Sequence, residues 1–178
     1  VDGDERLRLF LALRLPADAL DEIEEWQRSE LAGVRVVPRE QLHVTLAFLG
    51  HRPADELNSI AGVLHDAAAR AQPIRLTPVR YREMRSVGML VLNDARGHAA
   101  ALAADVQAEL ERLGVSERER RAWLPHLTVA RWRERPGLRP ARPPGRTFVP
   151  SDAAAYVSRL HAGGARYAVM KTVALGGE

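Results

Sequence analysis

Two segments of this chain repeat one pattern: His43-Val44-Thr45-Leu46-Ala47 and His126-Leu127-Thr128-Val129-Ala130. Each reads His, apolar, Thr, apolar, Ala. Side chains alternate along an extended strand, so His43, Thr45 and Ala47 are expected on one face, with Val44 and Leu46 turned into a core. The second copy is expected to do the same with His126, Thr128 and Ala130. A chain that twice sets an imidazole and a hydroxyl on one face of a strand can supply a matched acid and base.

The segments between fit a duplicated unit. Leu7–Leu13 reads as a buried strand, and Pro16 opens a helix with Leu20, Ile23 and Gln27 or Trp26 inward, stopping near Gly33. A short strand at Val34–Val37 precedes the first His strand, Leu42 to Leu49, ended by Gly50. Pro53 is expected to start a second helix running to about Ala71. Ile74–Val79 and Val87–Leu92 read as strands. Asn93-Asp94 can cap a helix over Ala95–Leu113, which Gly114 stops. The second His strand follows Trp123-Leu124-Pro125. Arg133–Pro144 is rich in Pro and Arg and reads as an exposed loop. Tyr156–Leu160 and Tyr167–Leu175 are strands of a hairpin closed by His161-Ala162-Gly163-Gly164. The two His strands stand 83 residues apart. The same offset carries Leu7 and Leu9 onto Leu90 and Leu92, and the first helix onto the third. Each half is strand, helix, His strand, which places both His strands about one cleft and makes one site between two lobes.

Composition narrows the chemistry. There is no Cys, so disulfides, thiol catalysis and Cys-bound metals are excluded. No apolar run approaches the ~20 residues of a membrane span. The acidic start, Val1-Asp2-Gly3-Asp4-Glu5, lacks the regions of a signal peptide, so a cytoplasmic protein is expected. The net charge is +3, carried almost entirely by Arg, with Lys171 the single Lys. Arginine grips phosphate with a planar fork, and its excess permits an anionic substrate without demanding one.

Two imidazoles, one neutral and one protonated, suit hydrolysis of a five-membered cyclic phosphodiester. Water must lose a proton on one side of phosphorus while the departing oxygen gains one on the other. Histidine titrates near 6.5, so a pair can do both near neutrality. The rings are expected about 5–8 Å apart, two hydrogen bonds plus a phosphate. Thr45 and Thr128 fall on the same faces and can donate to non-bridging oxygens as charge develops. No metal or other cofactor is called for by the sequence. His51, His65, His98 and His161 lie in turn or helical contexts without a partner pattern and are expected to be exposed or simply packed.

These paired motifs resemble those of the 2H phosphoesterases, and within them the RNA 2′,3′-cyclic phosphodiesterases, also called 2′-5′ RNA ligases. The resemblance rests on Arg6–Leu13 with Pro16, on Leu42–Gly50, on Pro125–Arg131 and on Gly164-Ala165-Arg166-Tyr167. It implies an α+β fold: one bilobal domain over residues 1–178, with antiparallel sheets around a central cleft. It implies opening of an RNA or nucleoside 2′,3′-cyclic phosphate to a 2′-phosphomonoester without a metal, with 2′-5′ ligation as the same chemistry reversed. By the same resemblance His43 is the proton donor, His126 the proton acceptor and Arg131 a phosphate ligand. Regular alternation turns Arg131 away from His126, which a strand end or a bulge just after Ala130 would solve. Phe48, its counterpart in the first copy, either stacks on a base or packs in the core. The implied partners are RNA ends or nucleoside cyclic phosphates, met by a monomer with no membrane. Three other readings stand beside this one. They are a phosphodiesterase for another small cyclic ester such as ADP-ribose cyclic phosphate, an RNA-end binding module without turnover, and a His-based metal hydrolase.

Overall fold

Leu9, Leu11 and Leu13 turn one face of strand β1 (Arg6–Arg14) into the main core. Phe10 and Ala12 turn its other face into a smaller cluster with Ala154 and Tyr156. A strand buried on both faces reads as a continuous apolar run, which is why the Leu7–Leu13 segment is so plain in the sequence. The computed structural model describes residues 5–117 and 120–176. The expectation for Val1–Asp4 lies outside the described residues.

The described residues form two four-stranded antiparallel sheets and three helices, the expected α+β architecture. The first sheet has the order β3 (His43–Pro53), β1, β7 (Asp152–His161), β8 (Gly164–Val173). The second runs β2 (Arg35–Val36), β6 (His126–Arg131), β5 (Val87–Asn93), β4 (Thr77–Glu83). The helices are α1 (Ala17–Glu30), α2 (Leu57–Arg70) and α3 (His98–Arg112). None is long and apolar enough to cross a membrane.

The duplicated unit is real in the pairing. β1 lies antiparallel to β3 and β5 antiparallel to β6, each pair joined through a helix. Its register differs from the simple offset. Leu13 stands opposite Val44 as Leu90 stands opposite Leu127, so Leu13 rather than Leu7 is the counterpart of Leu90. The cause is the connection: β1 passes to α1 through Leu15 and Pro16, whereas a turn at Asp94–Gly97 separates β5 from α3.

Several boundaries also move. β3 does not end at Gly50 but bends there, with φ +66°, and continues to Pro53. The second helix therefore starts at Leu57, after a 3-10 turn over Ala54–Glu56. His51 accordingly sits in a strand, exposed, opposite Arg8. β4 lies later than expected, because Leu76 spends both backbone groups on Phe148. α3 starts at His98, its first turn capped by the Asp94 carboxylate, which accepts from the Ala100 N–H at 2.8 Å. The loop over Arg133–Pro144 carries no helix or strand but is pinned. The buried Glu83 carboxylate accepts from the Gly137 and Leu138 N–H groups and pairs with Arg135.

Candidate active site

Both His strands carry the same bulge. In β3, Ala12 stands opposite Thr45 and Leu11 opposite Ala47, leaving Leu46 extra. In β6, Met89 stands opposite Thr128 and Gly88 opposite Ala130, leaving Val129 extra. Leu46 and Val129 hold the same place in the two motifs. A bulge adds one residue and so resets which face the following side chains take. The burial runs are identical: half-buried His and Thr, a buried apolar residue after each, then a buried Ala and an exposed residue. Ala47 and Ala130 are therefore core residues, 5% and 0% exposed, and do not share the His face as alternation suggests. Phe48 and Arg131 come back to that face instead. Of the two expected solutions for Arg131 the structure has the bulge, one position earlier than expected.

The imidazoles are fixed by one device used twice. His43 Nδ1 lies 2.7 Å from the Gln41 carbonyl, and His126 Nδ1 lies 2.8 Å from the Leu124 carbonyl. A carbonyl only accepts, so Nδ1–H donates and Nε2 is left as the working atom of each ring. Each carbonyl comes from the residue two positions upstream, in the turn that leads into the strand.

β3 is an edge strand of its sheet, and side chains from the other half of the chain serve its outward carbonyls. Trp123 Nε1 donates to the Thr45 carbonyl at 3.0 Å and Gln107 of α3 to the Leu46 carbonyl at 3.5 Å. In the second copy the buried Gln27 of α1 donates to the Val129 carbonyl at 2.9 Å and to the Val37 carbonyl at 3.0 Å. The Val37 N–H also reaches the Val129 carbonyl, at 2.9 Å. The residue at each bulge is thus held by a glutamine from the helix of the opposite half.

His43 sits among aromatic rings. Phe10 lies 4.8 Å away centroid to centroid, Tyr167 5.5 Å and Tyr156 5.8 Å, with Phe10 and Tyr156 stacked. This burial pushes His43 down from 6.5 to about 4. The Gln41 carbonyl opposes the shift, while positive charge on His126 and on Arg131 adds to it. The two motif histidines and Arg131 therefore share one electrostatic environment. Arg131 also reaches the Tyr167 hydroxyl, at 3.5 Å. The β7–β8 turn is tied to β2 by Arg35, which donates to the Gly163 carbonyl, and to the segment before β3 by Gln41 Nε2, which donates to the Ala165 carbonyl at 3.0 Å. Gly164 has φ +114°, a backbone conformation that L side chains rarely adopt, so this turn favours glycine.

A family model for the 2'-5' RNA ligase superfamily matches residues 15–161. The chain belongs to that superfamily. A Thermus thermophilus protein named RNA 2',3'-cyclic phosphodiesterase is 31% identical over 185 residues, covering 97% of this chain and 92% of that protein. The crystal structure of TT0787 from T. thermophilus aligns with TM-score 0.83 and 27% identity, over 97% of this chain and 100% of that one. E. coli LigT complexed with 3'-AMP aligns with TM-score 0.80 and 25% identity, over 97% and 99%.

In this superfamily member, His43 and Thr45 lie on β3 and His126, Thr128 and Arg131 on β6, and His126 and Arg131 lie close enough for their charges to act on His43. Phe48 is 55% exposed, with the Arg8 guanidinium 5.0 Å over its ring, so it is not a core residue. Phe10, Tyr156 and Tyr167 are the rings around His43 that motif reading misses. A signal for Phe10 is present: the even positions of β1 read Arg8, Phe10, Ala12, Arg14 against Leu at the odd ones. Arg14 stands opposite His43 in the register, but its charge is spent on Asp152 across the next strand. Among the described residues, no three His, Asp or Glu side chains gather in an arrangement that could hold a metal ion.

Proposed function

We propose that this chain hydrolyses 2′,3′-cyclic phosphates at RNA ends to 2′-phosphomonoesters, with His43 and His126 exchanging protons across the phosphate. The observation that carries the reading is the doubled device at the imidazoles. Both rings are bonded at Nδ1 to a carbonyl two residues upstream, and the charge of one acts on the other. Superfamily membership and the name of the T. thermophilus relative support the substrate class.

In this mechanism His126 Nε2 takes a proton from water as the water oxygen bonds to phosphorus. The bond from phosphorus to the 3′ oxygen breaks in line, and His43 Nε2–H protonates that oxygen. The products are a 2′-phosphomonoester and a free 3′ hydroxyl. Thr45 and Thr128 donate to the non-bridging oxygens, and Arg131 balances their growing charge. His43 is neutral in the free cleft, since burial holds it at about 4. The substrate charges it: a phosphodiester anion beside Nε2 favours the imidazolium and raises its pKa on binding. Attack on the cyclic phosphate by a ribose hydroxyl instead of water would run the same site toward 2′-5′ joining.

The test is a product assay on an oligoribonucleotide ending in a 2′,3′-cyclic phosphate, with the position of the product phosphate read by 31P NMR. Wild type is expected to give the 2′-phosphate with or without EDTA. His43→Ala and His126→Ala are each expected to lose about 10²–10⁴ in kcat. Full activity in either variant rejects the proton exchange, a 3′-phosphate product rejects the direction of cleavage, and loss of activity in EDTA favours a metal hydrolase. Turnover of only a non-nucleic cyclic phosphate would move the substrate elsewhere within the same chemistry.

A further inference from the structure

We propose that Arg80 and Arg82 of β4 form a phosphate track beside the reaction centre. It holds the strand of RNA that leads away from the reacting end, so that the chain prefers a cyclic-ended oligoribonucleotide to a free nucleoside cyclic phosphate. The inference rests on the function proposed above and narrows its substrate class.

The register places these arginines. Arg80 stands opposite Val91, which stands opposite His126; Arg82 stands opposite Met89, which stands opposite Thr128. Residues directly opposite on neighbouring strands project to the same face. The irregularities in these pairings fall before Arg80 and before Met89, so both rows are regular. Arg80 and Arg82 thus share the face of His126 and Thr128, while Tyr81, Leu90 and Leu127 take the other, toward the main core. Val91 and Met89, between the arginines and the motif, are 6% and 8% exposed yet belong to neither core cluster. That is the environment of apolar residues lying under long arginine stems whose charged heads stay in water.

The heads are unspent. Both arginines are exposed, and neither makes an ion pair or side-chain hydrogen bond among the described residues. Arg14, Arg39, Arg52 and Arg146, in contrast, are each paired with acids. The acid of the same strand, Glu83, bonds the Tyr81 hydroxyl and the loop at Gly137 and Leu138, so it does not quench them. Two strand spacings, about 10 Å, separate β4 from β6. From there an arginine side chain reaches the phosphates next along the strand but not the one between the histidines. A groove of one charge that runs on from the reaction centre is how a single strand is followed without reading its sequence.

The experiment compares wild type with Arg80→Gln/Arg82→Gln on two substrates, a nucleoside 2′,3′-cyclic phosphate and a short oligoribonucleotide with the same end. The readout is the ratio of kcat/KM on the oligonucleotide to that on the nucleoside, across a salt series. Wild type is expected to favour the oligonucleotide. The double variant should lose about tenfold in that ratio, and its logarithmic salt slope should flatten by about 0.7 for each phosphate no longer held. A ratio and slope equal to wild type would overturn the track, as would an equal loss on both substrates. Anisotropy with a labelled oligonucleotide ending in a 2′-phosphate separates this result from the parent reading. If wild type turns over neither substrate, the proposed function fails, and weaker, less salt-dependent binding by the variant still upholds the track. Equal binding rejects it.

Discussion

Gln27 and Gln107 serve the two His strands at the same point of the repeat. Gln27 of α1 donates to the carbonyl of Val129, and Gln107 of α3 donates to the carbonyl of Leu46. Each carbonyl belongs to the extra residue of a bulge. Each glutamine also comes from the half of the chain that does not own the strand it holds. The bulge decides which strand face Arg131 takes, so under the proposed function Gln27 is a positioning residue for the site. Gln27→Leu keeps the apolar volume and removes both bonds. The Val129 carbonyl retains the Val37 N–H, so the expected loss is about 1–2 kcal/mol, read as a fall of roughly 2–8 °C in Tm. Activity should fall further than stability implies, by roughly tenfold to a hundredfold in kcat on a nucleoside cyclic phosphate, because small misplacements are costly in such sites. A stably folded Gln27→Leu with unchanged kcat would show that the bulge holds without it. Gln107→Leu, at a longer bond, should show the same pattern more weakly.

His43 should titrate far below an ordinary histidine. In the free protein its ring resonances are expected to move near pH 4, as burial dictates. Inorganic phosphate or a 2′-nucleotide should raise that midpoint, because an anion at Nε2 favours the charged ring. Arg131→Gln should raise it as well, since the Arg131 charge acts to lower it. An NMR titration of the two proteins, with and without phosphate, measures all three. A midpoint near 6.5 in the free wild type, or one that phosphate leaves unmoved, would remove the argument that the substrate itself charges the proton donor.

Much of this arrangement is written in short-range pattern. The His strands, the strand–helix–strand repeat and the closing hairpin follow from alternation, caps and glycine positions. What escapes is whatever a period of two cannot express. Leu46 and Val129 look like ordinary core residues in their strands, and only the partner register shows them to be extra. Strict alternation therefore puts Ala47 and Ala130 on the wrong face and turns Arg131 away from the cleft. The rings around His43 come from β1, β7 and β8, which meet β3 only through the order of the sheet. Nothing near His43 in the chain announces Tyr156 or Tyr167. The polar contacts at the bulges are equally remote in sequence, since a buried Gln on a helix gives no hint of the carbonyl it will meet.

The two threonines should matter to a similar degree. Both are half-buried, one position before the bulge of their strand and two after the histidine. Thr45→Val and Thr128→Val keep the β-branched shape and delete only the hydroxyl. Each is expected to lower kcat by about 10²–10³ with a smaller change in KM, the effect of removing one donor to a developing charge. The two variants should keep the wild-type Tm within a few degrees, since neither hydroxyl has a protein partner among the described residues. Loss through KM alone would place the hydroxyls in ground-state binding rather than in stabilising the displaced phosphate.

The depressed pKa of His43 also predicts how stability changes with acid. In the unfolded chain this histidine takes up a proton near pH 6.5, and in the folded protein only near pH 4. Between those values the unfolded state binds a proton that the native state refuses, so this residue lowers the free energy of unfolding steadily as pH falls through that window. Above pH 6.5 it is neutral in both states and contributes no slope, and below about 4 the slope ends. His43→Phe removes the titration and leaves a ring of suitable shape among Phe10, Tyr156 and Tyr167. Urea unfolding of wild type and His43→Phe from about pH 7 to about pH 4 should therefore diverge, the variant gaining on wild type as the medium becomes more acidic. The other titrating groups are common to both proteins and cancel in the difference. Parallel curves across the window would mean that the ring is solvated enough to charge in the native cleft, and the neutral resting state of His43 would have to be given up.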